Sequence, residues 1–183
     1  MKLAAIVGMT GAGKSEVSRL FEKSGFIRIR FGDITDEEVR KRGLELTEEN
    51  ERRVRETLRQ EHGMAAYALL NLSRIDLAIK QRDVVIDGLY SWEEYMMLKN
   101  YYRDGLTMLA VWSSPRTRYA RLAARDIRPL TAEEAASRDR SEVENLHKAG
   151  PIAMADFAIL NESSLKDLAK ETKAVIDSLR KRH

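Results

Sequence analysis

The chain has 183 residues but no cysteine, only three prolines and only three histidines. Without cysteine there is no disulfide framework and no thiolate metal site, so a reducing, cytoplasmic setting is expected. His62, His147 and His183 lie far apart and show no ligand spacing, which argues against a metal centre built from protein side chains. No apolar run approaches the roughly 20 residues of a membrane span, so no membrane partner is expected. The opening Met1-Lys2-Leu3-Ala4-Ala5-Ile6-Val7 is too short for a secretory core and lacks a small-residue cleavage site. Repeats, low-complexity tracts and Pro/Gly linkers are also missing, which suits one compact domain.

Charge is abundant. Lys and Arg number 32 against 29 Asp and Glu, a net of +3 with the two signs interleaved. A nucleic-acid binder would show a basic stripe with exposed aromatics, so no nucleic-acid partner is expected. The basic excess gathers between Arg116 and Arg140 and in the tail Arg180-Lys181-Arg182, which reads as a solvated helix end.

Apolar runs alternate with helical patterns. Strands are expected at residues 2–7, 26–31, 83–87, 106–112 and 156–160. A helix from Lys14 to Lys23 follows the first and ends at Gly25. The charged stretch 35–81 reads as three helices: one from a capping box at Thr35-Asp36-Glu37-Glu38 to Gly43, one over 48–61, one over 64–80. Ser91-Trp92-Glu93-Glu94 and Thr131-Ala132-Glu133-Glu134 are further capping boxes, and Pro115 opens a helix to about Arg125. Residues 164–182 form a closing amphipathic helix. Five buried strands alternating with helices imply an α/β fold with a parallel sheet covered on both faces. Its chemistry belongs at the carboxyl ends of the strands.

Between the first strand and first helix stands Gly8-Met9-Thr10-Gly11-Ala12-Gly13-Lys14-Ser15, a match to G-x-x-x-x-G-K-[ST] in its proper context. Its amides can turn inward on a phosphate, with the helix N-terminus aimed at the same spot. Gly8, Thr10, Gly11, Ala12, Gly13 and Lys14 are the expected nucleotide contacts, and the Ser15 hydroxyl is the expected Mg²⁺ ligand. Asp87 ends the third strand before Gly88, where a carboxylate can join Ser15 on Mg²⁺; the alternative is a strand-end cap.

A guanine-reading N-K-x-D is absent, which excludes a GTPase switch. Too little chain follows the fifth strand for the helical domain of an AAA-type ATPase. Small-molecule kinases need an acceptor-binding segment after the second strand and an Arg-rich lid. The helical region 35–81 and the segment 115–147 are candidates for these. Arg118, Arg121 and Arg125 follow helical spacing, so their guanidiniums would share a face able to fork onto a transferring phosphoryl group. Between Arg116 and Arg128 the only acid is Asp126, so the cluster neutralises itself poorly. Asp33, after Gly32, could orient an acceptor or simply cap a helix. Arg40 and Arg42 could bind an acceptor phosphate or pair with Glu37 and Glu38. His62 and Trp112 read as structural.

Together, the cradle, Gly32-Asp33, Val85-Ile86-Asp87-Gly88 and Ser114-Pro115-x-x-Arg118-x-x-Arg121-Leu122 resemble the nucleoside-monophosphate-kinase-like P-loop kinases. The stretch from Ala155 to Leu165 is similar to the dephospho-CoA kinase ending, in which an Asn after the last strand, here Asn161, lies near adenine. Over nearly its whole length the chain resembles the archaeal adenylate-kinase-related group. The resemblance implies a three-layer P-loop NTPase fold and an ATP- and Mg²⁺-dependent phosphotransferase. Lys14, Asp33, Asp87, Arg121 and Arg125 would be its catalytic residues, and Arg118, Arg121 and Asn161 would join the nucleotide contacts. The implied acceptor is nucleotide-like, a nucleoside monophosphate or dephospho-CoA. Asp36 replaces the acceptor-phosphate arginine of adenylate kinases, Gly88-Leu89-Tyr90-Ser91 replaces their G-x-P-R, and Arg138-Asp139-Arg140 stands where dephospho-CoA kinases carry Gln. The acceptor therefore stays open. A nucleotide-binding ATPase or regulator acting through a protein partner is the other reading, with the charged 35–81 region as the partner surface.

Overall fold

The computed structural model describes residues 1–181; Arg182 and His183, counted in the basic tail and among the histidines, lie outside the described residues. Five strands, β1 (Leu3–Val7), β2 (Ile27–Arg30), β3 (Val84–Asp87), β4 (Leu106–Trp112) and β5 (Phe157–Leu160), form one sheet in the order β2-β3-β1-β4-β5. Every pairing is parallel, with Leu3 opposite Val84 on one side and Leu106 on the other. Helices α1 (Lys14–Lys23), α2 (Asp33–Lys41), α3 (Glu48–His62), α4 (Ala66–Ile79), α5 (Trp92–Tyr102), α6 (Pro115–Ala123), α7 (Ala132–Glu144) and α8 (Ala149–Ala153) lie in the crossovers, and α9 (Leu165–Lys181) follows β5.

Successive strand side chains point to opposite faces, and this alternation builds two cores. Leu3, Ala5, Val7, Ile86 and Met108 pack with residues of α2–α5. Ala4, Ile6, Val85, Leu109 and Val111 pack with α1 and α9 through Val17, Phe21, Leu168 and Ile176. The outcome is the three-layer α/β architecture expected of a P-loop NTPase.

Boundaries differ from expectation where tertiary contacts compete with local signals. Helix α2 starts at Asp33, two residues before the expected capping box, and its N-cap Gly32 offers no side chain. Thr35 is buried, and its hydroxyl is shared with the Tyr67 hydroxyl at 2.6 Å instead of capping. Helix α6 ends at Ala123, which leaves Arg125 beyond it. The five-residue helix α8 was not expected from sequence. Both capping boxes at Ser91 and Thr131 form as read.

The strand ends place the site. The cradle follows β1, Asp87 closes β3, and Ser113 and Asn161 follow β4 and β5, all at the carboxyl edge. Order reverses across β1, so this edge opens a crevice there.

Candidate functional site

The glycines of the cradle serve the protein's own packing first. A Cβ on Gly8 would run into the Val111 carbonyl oxygen, and one on Gly13 would strike the Asn161 side-chain nitrogen. Gly13 also sits at φ 101°, the left-handed region, where it caps α1. Main chain can thus lie directly on β4 and Asn161 while Gly11, Gly13, Lys14 and Ser15 line the crevice. Lys14 Nζ donates to the carbonyls of Gly8 at 2.9 Å and Met9 at 3.0 Å, arching back over the loop. Burial, and then the nearby Lys148 ammonium, pull its pKa down to about 7.

Two clefts meet here. The smaller, about 310 Å³, is lined by the cradle residues Thr10, Gly11, Gly13, Lys14 and Ser15 together with Asp87, Arg121 and Arg125. The larger, about 920 Å³, lies between α3 and the α6–α7 arch. Tyr90, Arg125 and Arg138 line both and form the shared wall. Seven arginines (30, 52, 55, 59, 125, 128 and 138) face the larger cleft against five carboxylates. Most are spoken for: Arg55 and Arg128 both pair with Glu48 and Glu51, Arg30 with Asp33 and Asp36, Arg52 with Glu56 and Arg138 with Glu142. Arg59 reaches over the Tyr67 ring at 5.6 Å, and its buried Nε has no hydrogen-bond partner among the described residues.

Asp87, 6% exposed, opens onto the cradle cleft beside Ser15. It is also ion-paired across the sheet: Arg28 Nε donates to its Oδ2 at 3.0 Å. Both Arg28 bonds fall on Oδ2. A hydroxyl and a carboxylate in one glycine-lined cleft are the donors Mg²⁺ takes alongside substrate phosphates, so the residues fit that ion. No group of three or more His, Cys, Asp or Glu suited to a metal occurs among the described residues.

Several expected site residues are placed differently. Asp33 lines neither cleft; its carboxylate lies 3.2 Å from Arg30 Nε, and Asp36 faces the larger cleft instead. Arg118 is buried and fully engaged within the protein. Its guanidinium donates to Ser113 O at 3.1 Å, to Thr10 O at 3.1 Å and to both Asp139 oxygens at 2.7 and 2.6 Å. The expected common face is therefore split: Asp139 of α7 takes Arg118, whereas Arg121 and Arg125 both line the cradle cleft. Arg121 lines the cradle cleft while bonded to Ser113 Oγ at 3.0 Å and Asn161 O at 3.0 Å. Asn161 Nδ2 donates to Ala12 O at 2.8 Å, so it anchors the cradle from β5.

Sequence reasoning missed Arg28, Tyr90, Glu142 and Lys148. Glu142 is buried and takes the Thr10 amide at 3.2 Å, the Thr10 hydroxyl, and the ammonium of fully buried Lys148 at 2.8 Å. Burial pushes its pKa up, but Lys148 and Thr10 outweigh that and the net pKa falls to about 2. Lys148, with burial as the larger cause, is lowered. From sequence, Glu142 is only a surface partner for Arg138 four residues earlier. Nothing local marks either as buried. Tyr90, pushed up to about 12 by burial and then by Asp87, stays a neutral hydroxyl.

A glycine cradle at the switch point of an all-parallel five-stranded sheet defines a P-loop NTPase of kinase-like fold. A family model described as an AAA domain matches residues 5–147. A UPF0200 protein of Thermococcus kodakarensis is 38% identical over 181 residues, covering 97% of each chain. The chain belongs to the AAA domain family and to the UPF0200 proteins. The family description carries the AAA name that sequence analysis set aside; after β5 the described residues add α9 alone. Among solved structures, a gluconokinase from Sinorhizobium meliloti 1021 superposes with TM-score 0.60 at 18% identity, over 97% of this chain and 93% of that one. A dephospho-CoA kinase from Campylobacter jejuni gives 0.57 at 16%, over 97% of both. At such identities the likeness is one of fold.

Proposed function

We propose that this protein is an ATP- and Mg²⁺-dependent phosphotransferase acting on a small, phosphate-bearing, nucleotide-like acceptor such as a nucleoside monophosphate or dephospho-CoA. The observation that carries the reading is the meeting of two clefts at Tyr90, Arg125 and Arg138, with a phosphate cradle in one and seven arginines around the other. Five of those arginines already pair with carboxylates, and a negatively charged acceptor compensates the other two, Arg59 and Arg125. Region 35–81 is the acceptor-binding part of this reading, and 115–147 the lid.

Bound MgATP supplies the phosphoryl group and a cation that neutralises charge as it migrates. The cradle amides hold the β- and γ-phosphates, and Lys14 exchanges the carbonyls of Gly8 and Met9 for phosphate oxygens. Ser15 and Asp87 would hold the ion, Asp87 through Oδ1 because Arg28 takes Oδ2. Arg121, Arg125 and Arg138 line the same cleft and offset charge on the equatorial oxygens. Arg59, with an unpaired donor at the cleft's base, takes acceptor phosphate. Asp33 is left to fix Arg30 rather than the nucleophile.

The test is transfer from [γ-³²P]ATP across a panel of nucleotides, phosphorylated sugars and cofactor precursors. The reading expects transfer to a phosphate-bearing compound, faster than ATP hydrolysis. Binding and slow hydrolysis with no compound labelled would contradict it and favour a nucleotide-dependent regulator.

A further inference from the structure

Glu142 sits in an unusual place for a carboxylate. It lines the larger cleft, yet its two oxygens reach into the cradle and take both donors of Thr10, the amide at 3.2 Å and the hydroxyl. Thr10 itself lines the cradle cleft, on the side where the two clefts adjoin. Inward amides at a helix-opening glycine loop form an anion site. Here an internal anion already occupies part of it. The ammonium of Lys148, at 2.8 Å and fully buried, holds that anion in place, and Arg138 Nε approaches from 3.5 Å. Meanwhile Lys14 is satisfied by loop carbonyls.

A role as general base fails on magnitude. With its pKa drawn down to about 2, this carboxylate is too weak a proton acceptor to deprotonate a hydroxyl near neutrality. What it does well is hold donors as a fixed negative charge. It offers the cradle's Thr10 donors the negative oxygens that a phosphate would offer them.

We propose that Glu142 is an internal stand-in for the terminal phosphate. It occupies the Thr10 end of the cradle whenever a third phosphate is lacking, and so makes the site discriminate nucleoside triphosphate from diphosphate. This rests on the nucleotide-binding reading above. A diphosphate fills the inner amides and leaves Glu142 on Thr10. A triphosphate brings a second anion to the same donors, and Glu142 must leave Thr10 and fall back on Lys148 and Arg138. Because Glu142 belongs to α7, its release also frees one tie between that helix and the cradle, so the lid senses which nucleotide is bound.

The experiment is calorimetric titration of the full chain with MgATP and MgADP, for wild type, Glu142→Gln and Glu142→Asp. Losing one charged hydrogen-bond competitor should tighten MgATP about tenfold in Glu142→Gln while MgADP stays within about twofold. Glu142→Asp keeps the charge beside Lys148, which preserves folding, but is a methylene short of Thr10. It should shift the ATP-to-ADP ratio in the same sense, by about threefold, and carries the test if the Gln variant does not fold. Equal changes for both nucleotides, or weaker ATP binding in either variant, overturn the inference by making Glu142 a brace only. Wild-type protein that binds neither nucleotide overturns the nucleotide reading itself, and the inference with it.

Discussion

Glu94 and Glu142 are both buried carboxylates, yet their surroundings push them in opposite directions. Glu94 caps α5, taking the amides of Tyr90 at 2.7 Å and Ser91 at 3.3 Å, but its other oxygen has no hydrogen-bond partner among the described residues. Burial raises its pKa from the ordinary 4.5 to about 7. Between those values the folded state keeps a proton that the unfolded chain has lost, so stability falls as pH rises from 4.5 to 7 and then levels. Glu142 works the other way: its stabilisation is present above 4.5 and is lost as pH falls towards 2. Urea unfolding of Glu94→Gln should therefore lose the decline across pH 4.5–7 and leave the variant more stable at pH 8, by on the order of 2 kcal/mol. Curves that stay parallel to wild type would refute this. The Gly13–Asn161 contact makes a second residue-scale prediction. Gly13→Ala should cost about 2–3 kcal/mol, from left-handed backbone strain and a clash with Asn161. In the Gly13→Ala/Asn161→Ala double variant the clash is gone and only the backbone part should persist. Thermal unfolding would then give a cost well below the sum of the single variants; strict additivity would contradict the packing account.

At the scale of elements, the α6–α7 arch is held by two arginines of unlike worth. Arg118 ties α6 to α7 through a buried, bidentate pair with Asp139, and to the cradle by donating to Thr10 O. Arg128, half exposed, bridges to Glu48 and Glu51 of α3. Removing one partner of a buried pair leaves an unpaired charge, so Arg118→Met should cost about 3–5 kcal/mol. The exposed bridge is screened, and Arg128→Met should cost below about 1 kcal/mol. Chemical denaturation of both variants checks the contrast, and equal costs would contradict it. The same arch shows where local signals run out. Capping boxes at Ser91 and Thr131 involve neighbours in sequence and were legible. The one expected at Thr35 failed because Tyr67, thirty-two residues away, takes its hydroxyl. Between Arg116 and Arg128 local acids are nearly missing, and the remedy comes from Asp139, Glu48 and Glu51, which only folding brings near.

For the whole molecule, strand periodicity and the glycine pattern revealed the sheet and the cradle, because both are set by residues adjacent in the chain. The strand order, the Arg28–Asp87 pair and the Glu142–Lys148 pair depend on packing between distant segments and left no trace in local spacing. Asp33 shows the opposite failure: the motif was local and recognisable, yet the fold turned that side chain towards Arg30. The central claim is that main-chain amides after β1 wrap a nucleotide's phosphates. Amide hydrogen exchange followed with and without saturating MgATP tests it most directly. The account predicts strong slowing at residues 11–15, with little change across α9. Saturable ATP binding that leaves those amides exchanging as before would contradict it.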